Sequence, residues 1–187
     1  MNIGIDIDDT INELHDILIK KGTEFNKNEK INYEIQTDKW EWIDAFGWDK
    51  LTAKKFLAEN MENLYLNAGI KENAAEVINK LHTEGNNIII ITARGSEHGQ
   101  GDIYKISENC LKEKNVIFDK LIINSRDKAK TCIENNIDIF IDDNVDFCKG
   151  VSQNGTKVFM FDSPYNQEET ECKRVYNWDE VYREIKK

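Results

Sequence analysis

Four consecutive isoleucines, Ile88 to Ile91, lie near the middle of the chain. The run is far short of the roughly 18 to 20 apolar residues that span a bilayer. It does not alternate with polar residues either, so it reads as a strand buried on both faces, as in a parallel sheet. Shorter runs of the same kind recur: Ile3–Ile5, Leu121–Ile123, Asp138–Ile141 and Lys157–Phe161. Between them lie segments with helical spacing, at Ala74–Leu81, Asp102–Glu113, Lys128–Asn135 and Val145–Val151. A last helix is expected at Trp178–Ile185, with Asn177 as N-cap. Strands alternating with helices predict an α/β fold with right-handed crossovers and helices flanking a parallel sheet.

One block breaks the pattern. Residues 14–70 carry little strand signal. A helix is expected over Ile11–Lys21, a polar irregular stretch over Asn26–Asp38, and a second helix over Leu51–Glu62. Between them Trp40, Trp42, Phe46 and Trp48 form an aromatic cluster. The block reads as a small helical insertion. Its aromatics suit either the core of that insertion or a surface that stacks on a base, and the four need not share one role.

In parallel α/β sheets, ligands bind beyond the carboxyl ends of the strands. The polar residues fall there. Asp6, Asp8, Asp9 and Thr10 follow the first strand, Thr92-Ala93-Arg94 follow the isoleucine run, and Asp142-Asp143 follow a later strand. In an extended chain Asp6 and Asp8 share a face, while Asp9 faces away as a structural residue. Two carboxylates brought together need a cation or a proton between them. Carboxylates from two strand ends suit Mg2+, a hard cation that prefers oxygen ligands. Such a site fits phosphoryl transfer, with a carboxylate nucleophile, a neighbouring acid, a hydroxyl and an ammonium. Lys128 opens a helix and is favoured over Lys130 as the ammonium. Arg94 is a candidate substrate contact or a partner for a neighbouring carboxylate.

Composition narrows the partners. The 187 residues carry a net charge of −10. A broad grip on long nucleic acid needs a basic stripe and is not expected. A small anionic substrate is compatible if a cation neutralises the site locally. No membrane span and no secretory signal are expected. Cys110, Cys132, Cys148 and Cys172 lack metal-ligand spacing and read as reduced thiols of a cytoplasmic protein. His15, His82 and His98 are scattered, with His98 best placed in the loop Ser96–Gly101.

Asp6-Ile7-Asp8-Asp9-Thr10, Ile91-Thr92-Ala93-Arg94, Lys128 and Ile141-Asp142-Asp143 occur in an order that resembles the haloacid dehalogenase-like (HAD) hydrolase superfamily, on its phosphatase side. With Asp127-Lys128 and the tail Pro164-Tyr165-Asn166 before Trp178, the chain looks closest to the 5'(3')-deoxyribonucleotidase-like branch and its bacterial nucleotidases. The resemblance implies a Rossmann-like HAD core over 1–13 and 71–187 and a small helical cap over 14–70, inserted after the first strand. It implies Asp6 as nucleophile, Asp8 as general acid/base, and Thr92, Ala93 and Arg94 around the phosphate. Lys128 would bridge nucleophile and phosphate, and Trp40 and Trp42 are candidate substrate contacts. Mg2+ would be held by Asp6, the Asp8 main-chain carbonyl and Asp143, with Asp142 in support. The expected activity is a Mg2+-dependent phosphomonoesterase, a nucleotidase acting on (deoxy)nucleoside monophosphates through an aspartyl-phosphate. The alternatives are a phosphatase for another small ester such as a sugar phosphate, a receiver-like signalling module, and a non-catalytic phosphate-binding protein.

Overall fold

The computed structural model describes residues 1–95 and 101–187. His98 and most of the expected loop Ser96–Gly101 therefore lie outside the described residues. The chain runs β1 (Asn2–Ile5), β2 (Asn12–Glu13), α1 (Leu14–Asn28), α2 (Trp42–Phe46), α3 (Lys50–Asn67), β3 (Gly69–Ile70), α4 (Ala74–Thr83), β4 (Asn87–Ile91), α5 (Ile103–Glu113), β5 (Lys120–Ile122), α6 (Lys128–Glu134), β6 (Ile139–Asp142), α7 (Val145–Ser152), β7 (Lys157–Phe161), β8 (Lys173–Val175) and α8 (Trp178–Ile185).

Six strands form one parallel sheet in the order β5-β4-β1-β6-β7-β8. β1 sits between β4 and β6, with Ile5 opposite both Ile90 and Ile141. The strand order reverses direction there, so the crevice for a ligand opens above β1.

The isoleucine run shows why the sheet is buried on both faces. Ile88 and Ile90 join a cluster with Ile3, Ile5, Val77, Leu81, Trp178 and Val181, packed under α4 and α8. Ile89 and Ile91 join the opposite cluster with Phe140, Cys132, Cys148 and Met160, packed under α6 and α7. Alternate residues of one strand thus fill two separate cores. Gly4 sits where the sheet is tightest: a Cβ there would lie 3.1 Å from Ile91, Ile137 and Phe140.

Between β1 and α4 the chain leaves the sheet. The expected helix over Ile11–Lys21 begins later and runs further, over Leu14–Asn28, because Asn12–Glu13 first pairs with Gly69–Ile70 as a short antiparallel ribbon. Helices α1–α3 build their own core from Leu18, Phe25, Phe46, Trp48, Phe56, Met61 and Leu64, joined by Ile103 and Ile106 of α5. The aromatic cluster divides. Phe46 and Trp48 are buried and stacked with centroids 4.5 Å apart, Trp42 is half-buried, and Trp40 is exposed. Trp48 Nε1 donates to Asn26 Oδ1 at 2.5 Å, which satisfies the indole inside this core. Among the described residues no helix is long and apolar enough to cross a membrane.

Candidate active site

A cavity of about 340 Å³ lies between the carboxyl ends of the central strands and helices α1–α3. Asp6, Asp8, Asp9, Thr92, Ala93, Arg94, Lys128, Asp142 and Asp143 line its polar side. Leu14, Leu18, Ala53, Leu57, Trp40 and Trp42 line the apolar side. Every residue expected at the site from sequence is therefore brought to one cavity. Lys130 is not; it is exposed and pairs with Glu134.

β1 stops at Ile5, and the Asp6 amide still donates to Ile141 O across to β6. Asp6 is thus the first residue beyond the strand and is fixed by its neighbour's main chain. The extended alternation expected through Asp9 does not persist, because the chain turns there. The Ile11 and Asn12 amides both return to Ile7 O, and Asp9 takes a left-handed φ of 55°. Asp9 consequently lines the same cavity and does not face away. Its carboxylate accepts from the His15 amide at 2.7 Å and lies 3.0 Å from Tyr165 Oη.

Asp6, Asp142 and Asp143 present carboxylate oxygens within 4.8 Å of one another, and all three are buried. Lys128 Nζ donates to Asp6 Oδ1 at 2.5 Å and to Asp142 Oδ2 at 2.6 Å. Burial would discharge this lysine, but the Asp142 and Asp6 carboxylates outweigh it and hold the pKa above its ordinary value. Burial pushes Asp6 up to about 7, opposed by Lys128 and assisted by Asp142 and Asp8. Burial likewise raises Asp142 to about 6 and Asp143 to about 8. Three clustered carboxylates, two of them on one ammonium, suit a further positive charge, and their donor set is all hard oxygen. On that chemistry the cluster fits Mg2+.

The other polar groups are equally committed. Asp8 is gripped by Arg94, whose Nε donates to Oδ2 at 2.8 Å and whose Nη2 donates to Oδ1 at 2.5 Å. Asn12 Nδ2 adds a third bond to Asp8 at 3.1 Å. Arg94 is buried, lies 3.9 Å from the Tyr65 ring centroid, and is held charged by Asp8 against the cost of burial. Of the two roles open to Arg94, the structure realises the carboxylate partner. Thr92 is buried, and its Oγ1 accepts from the Arg94 amide at 3.2 Å.

Some lining or bracing residues carry no sequence signal of their own. Tyr65 and Phe147 line the cavity only through tertiary packing, and Asn12 reaches Asp8 and Asp9 through the local turn. The Pro164-Tyr165-Asn166 turn was visible as a motif, but not as a neighbour of Asp143.

The chain matches, over residues 1–187, the family described as 5' nucleotidase, deoxy (pyrimidine), cytosolic type C protein. It belongs to this nucleotidase family. A nucleotidase of Clostridium acetobutylicum is 27% identical to it over 197 residues, covering 97% of this chain and 92% of that protein. A haloacid dehalogenase-like hydrolase from Streptococcus pneumoniae shares the fold with a TM-score of 0.73 at 12% identity, covering 98% of this chain and 97% of the other. CbbY from Rhodobacter sphaeroides, solved with xylulose-1,5-bisphosphate, has a TM-score of 0.65 at 11% identity, over 96% and 95% of the two chains. This nucleotidase-family protein is thus a HAD-like hydrolase of the phosphoric monoester class, and its acidic cluster sits where that fold keeps its chemistry.

Proposed function

We propose that the protein is a Mg2+-dependent nucleotidase that hydrolyses (deoxy)nucleoside monophosphates through an aspartyl-phosphate on Asp6. The observation that carries this reading is one cavity with two unlike walls. Buried carboxylates and Lys128 form one wall, and apolar side chains of α1–α3 with Trp40 and Trp42 form the other. A phosphate fits the first wall and a base fits the second.

Asp6 attacks phosphorus in line with the leaving oxygen, so the ester P–O bond breaks as the Asp6 Oδ–P bond forms. Lys128, fixed on Asp6 and Asp142, offsets the charge on the transferred group. Thr92 and the main chain at Ala93 hold the phosphate oxygens. Asp8 gives a proton to the leaving oxygen and then takes one from the water that cleaves the aspartyl-phosphate. Arg94 and Asn12 hold the Asp8 carboxylate for the second transfer, in which it takes the proton. Mg2+, when bound, neutralises phosphate oxygens and orients the group for attack.

Asp143 is the favoured side-chain ligand beside Asp6, with the Asp8 carbonyl as the third protein ligand. The Asp142 oxygens are already taken by Lys128 Nζ at 2.6 Å and by the Asn144 amide at 2.8 Å. Among the described residues the Asp143 oxygens accept from the neutral hydroxyls of Thr10 and Tyr165, so Asp143, unlike Asp142, has no ammonium already neutralising it. In the same reading residues 14–70 act as a cap over a core of 1–13 and 71–187, hinged at the β2–β3 ribbon. Cys132 and Cys148 are buried as small apolar groups within the core, which supports a reducing, cytoplasmic setting.

The test is phosphate release with Mg2+ from ribo- and deoxyribonucleoside monophosphates, sugar phosphates and an aryl phosphate, with chelator controls. A peak on nucleotides that chelator abolishes is the expected result. Activity confined to sugar phosphates would keep the mechanism and remove the base-binding role of the apolar wall. Turnover that survives chelation would remove the cation.

A further inference from the structure

We infer that the turn after β7, with Tyr165 and Asn166 as its contacts and Arg174 as its brace, is a positioning device for Asp143. It fixes the orientation of the carboxylate that would hold a divalent cation. The inference rests on the reading above, in which Asp143 is a cation ligand.

Strand pairing stops supporting β6 one residue too early. Asp142 is still in register with Met160 of β7, but Asp143 lies beyond the ladder. What holds it comes from elsewhere in the chain. Asn166 Nδ2 donates to Asp143 O at 2.8 Å and to Phe161 O at 2.8 Å, tying the residue after β6 to the end of β7. Tyr165 Oη donates to Asp143 Oδ2 at 2.6 Å, and Thr10 Oγ1 donates to Oδ1 at 3.0 Å. Main chain and both carboxylate oxygens are therefore fixed independently.

The turn is itself braced. Asn166 is buried, and its Oδ1 accepts from the Ser163 amide at 3.2 Å and from Arg174 Nη1 at 2.5 Å. Arg174 also donates to Asp162 Oδ1 at 2.8 Å, to Asn166 O at 2.8 Å and to Glu169 O at 3.1 Å. β8 brings it there by pairing Arg174 with Met160. A buried network with so many bonds per residue leaves little freedom in the group it holds. Partners behind a metal ligand orient it, and losing one typically costs about 10–100-fold in metal affinity. Tyr165 Oη is also 3.0 Å from Asp9 Oδ2, so the same phenol joins the turn after β1 to the turn after β6.

The test is calorimetric titration of Mg2+ into the metal-free full chain for wild type, Tyr165→Phe and Arg174→Met, with melting curves for each. Tyr165→Phe removes only the hydroxyl. Its Mg2+ Kd is expected to rise about 10–100-fold, and higher Mg2+ should recover much of the turnover lost. Arg174→Met should weaken Mg2+ in the same direction through Asn166; if it does not fold, Tyr165→Phe decides alone. A turn that merely closes the sheet edge would lower melting temperatures and leave Mg2+ affinity within about twofold of wild type, which overturns the inference. Wild-type protein that takes up no Mg2+ would overturn the cation reading itself, a result distinct from equal binding by wild type and variant.

Discussion

The two walls of the cavity are built on opposite principles. On the strand-end wall each carboxylate is pinned by named partners, such as Lys128 on Asp6 and Asp142, or Arg94 on Asp8. On the α1–α3 wall the side chains are apolar and rest on a separate core of Phe25, Phe46, Trp48 and Phe56. Removing a charge on the first wall strips a partner from a buried ion pair, so substitution there is costly. Exchanging an apolar contact on the second wall changes shape alone. In the proposed reading the first wall carries the reaction and the second selects what reacts.

The sharpest break is Asp6→Asn. It removes the nucleophile and nearly preserves shape, so turnover should fall by about 10⁴-fold or more with the fold intact. Residual phosphatase activity above that level would take the nucleophile away from Asp6. Trp48→Ala attacks the other wall from beneath. Loss of the stacked indole and its Asn26 bond should cost about 3–5 kcal/mol by denaturant unfolding. Rates on all substrates should then fall together, as temperature approaches the lowered midpoint. A selective loss on nucleotides would mean that Trp48 reads substrate.

Third in size is the pH dependence of the metal-free protein. Asp6, Asp142 and Asp143 lie at about 7, 6 and 8 against an ordinary 3.8. A raised folded-state pKa means that the folded state holds extra protons, so stability falls as pH rises through that window. Between pH 5 and 8 the metal-free protein should lose stability steadily, and Mg2+ should remove most of that loss. Melting curves with and without chelator read this directly; a flat profile would detach the acidic cluster from cation binding. The smallest effect is expected for Trp40→Ala. Trp40 lies exposed at the cavity mouth, so its removal should leave the melting temperature unchanged. The nucleotide-to-sugar-phosphate rate ratio should drop by about tenfold, from lost stacking. An unchanged ratio would confine base recognition to Trp42 and its apolar neighbours.

The same contrast explains what could be read from the sequence. The sheet was legible because Ile88–Ile91 and its shorter counterparts state double-sided burial in a few letters. The acids were legible because each follows such a run directly. β8 was not, since Lys173-Arg174-Val175 holds one buried residue and owes its place to register with β7. Nor was the Asn12–Glu13 and Gly69–Ile70 ribbon, where two residues a side carry no periodicity. Alternation misplaced Asp9 because the strand it assumed ends at Ile5. The partners of the acids depend on approach in space: Arg94 meets Asp8, and Tyr165 meets Asp9, across long stretches of chain. The split among the aromatics followed the same logic, since only packing distinguishes Trp48 from Trp40.

The position of β1 has a consequence for how such a chain comes into being. It is the first strand of this sequence, yet it lies inside the sheet, and its neighbours are Asn87–Ile90 and Ile139–Ile141. The Thr10 carbonyl beside the acids must wait longer still, for the indole of Trp178 that donates to it at 3.1 Å. β1 and the Asp6, Asp8 and Asp9 that follow it thus stay without their sheet neighbours until β4 and β6 have been made. Folding is forced to be late and collective, and long-range pairing of this kind is slow and open to aggregation. By the same ordering a fragment that stops before β6 lacks Asp142 and Asp143 and holds no assembled acidic cluster.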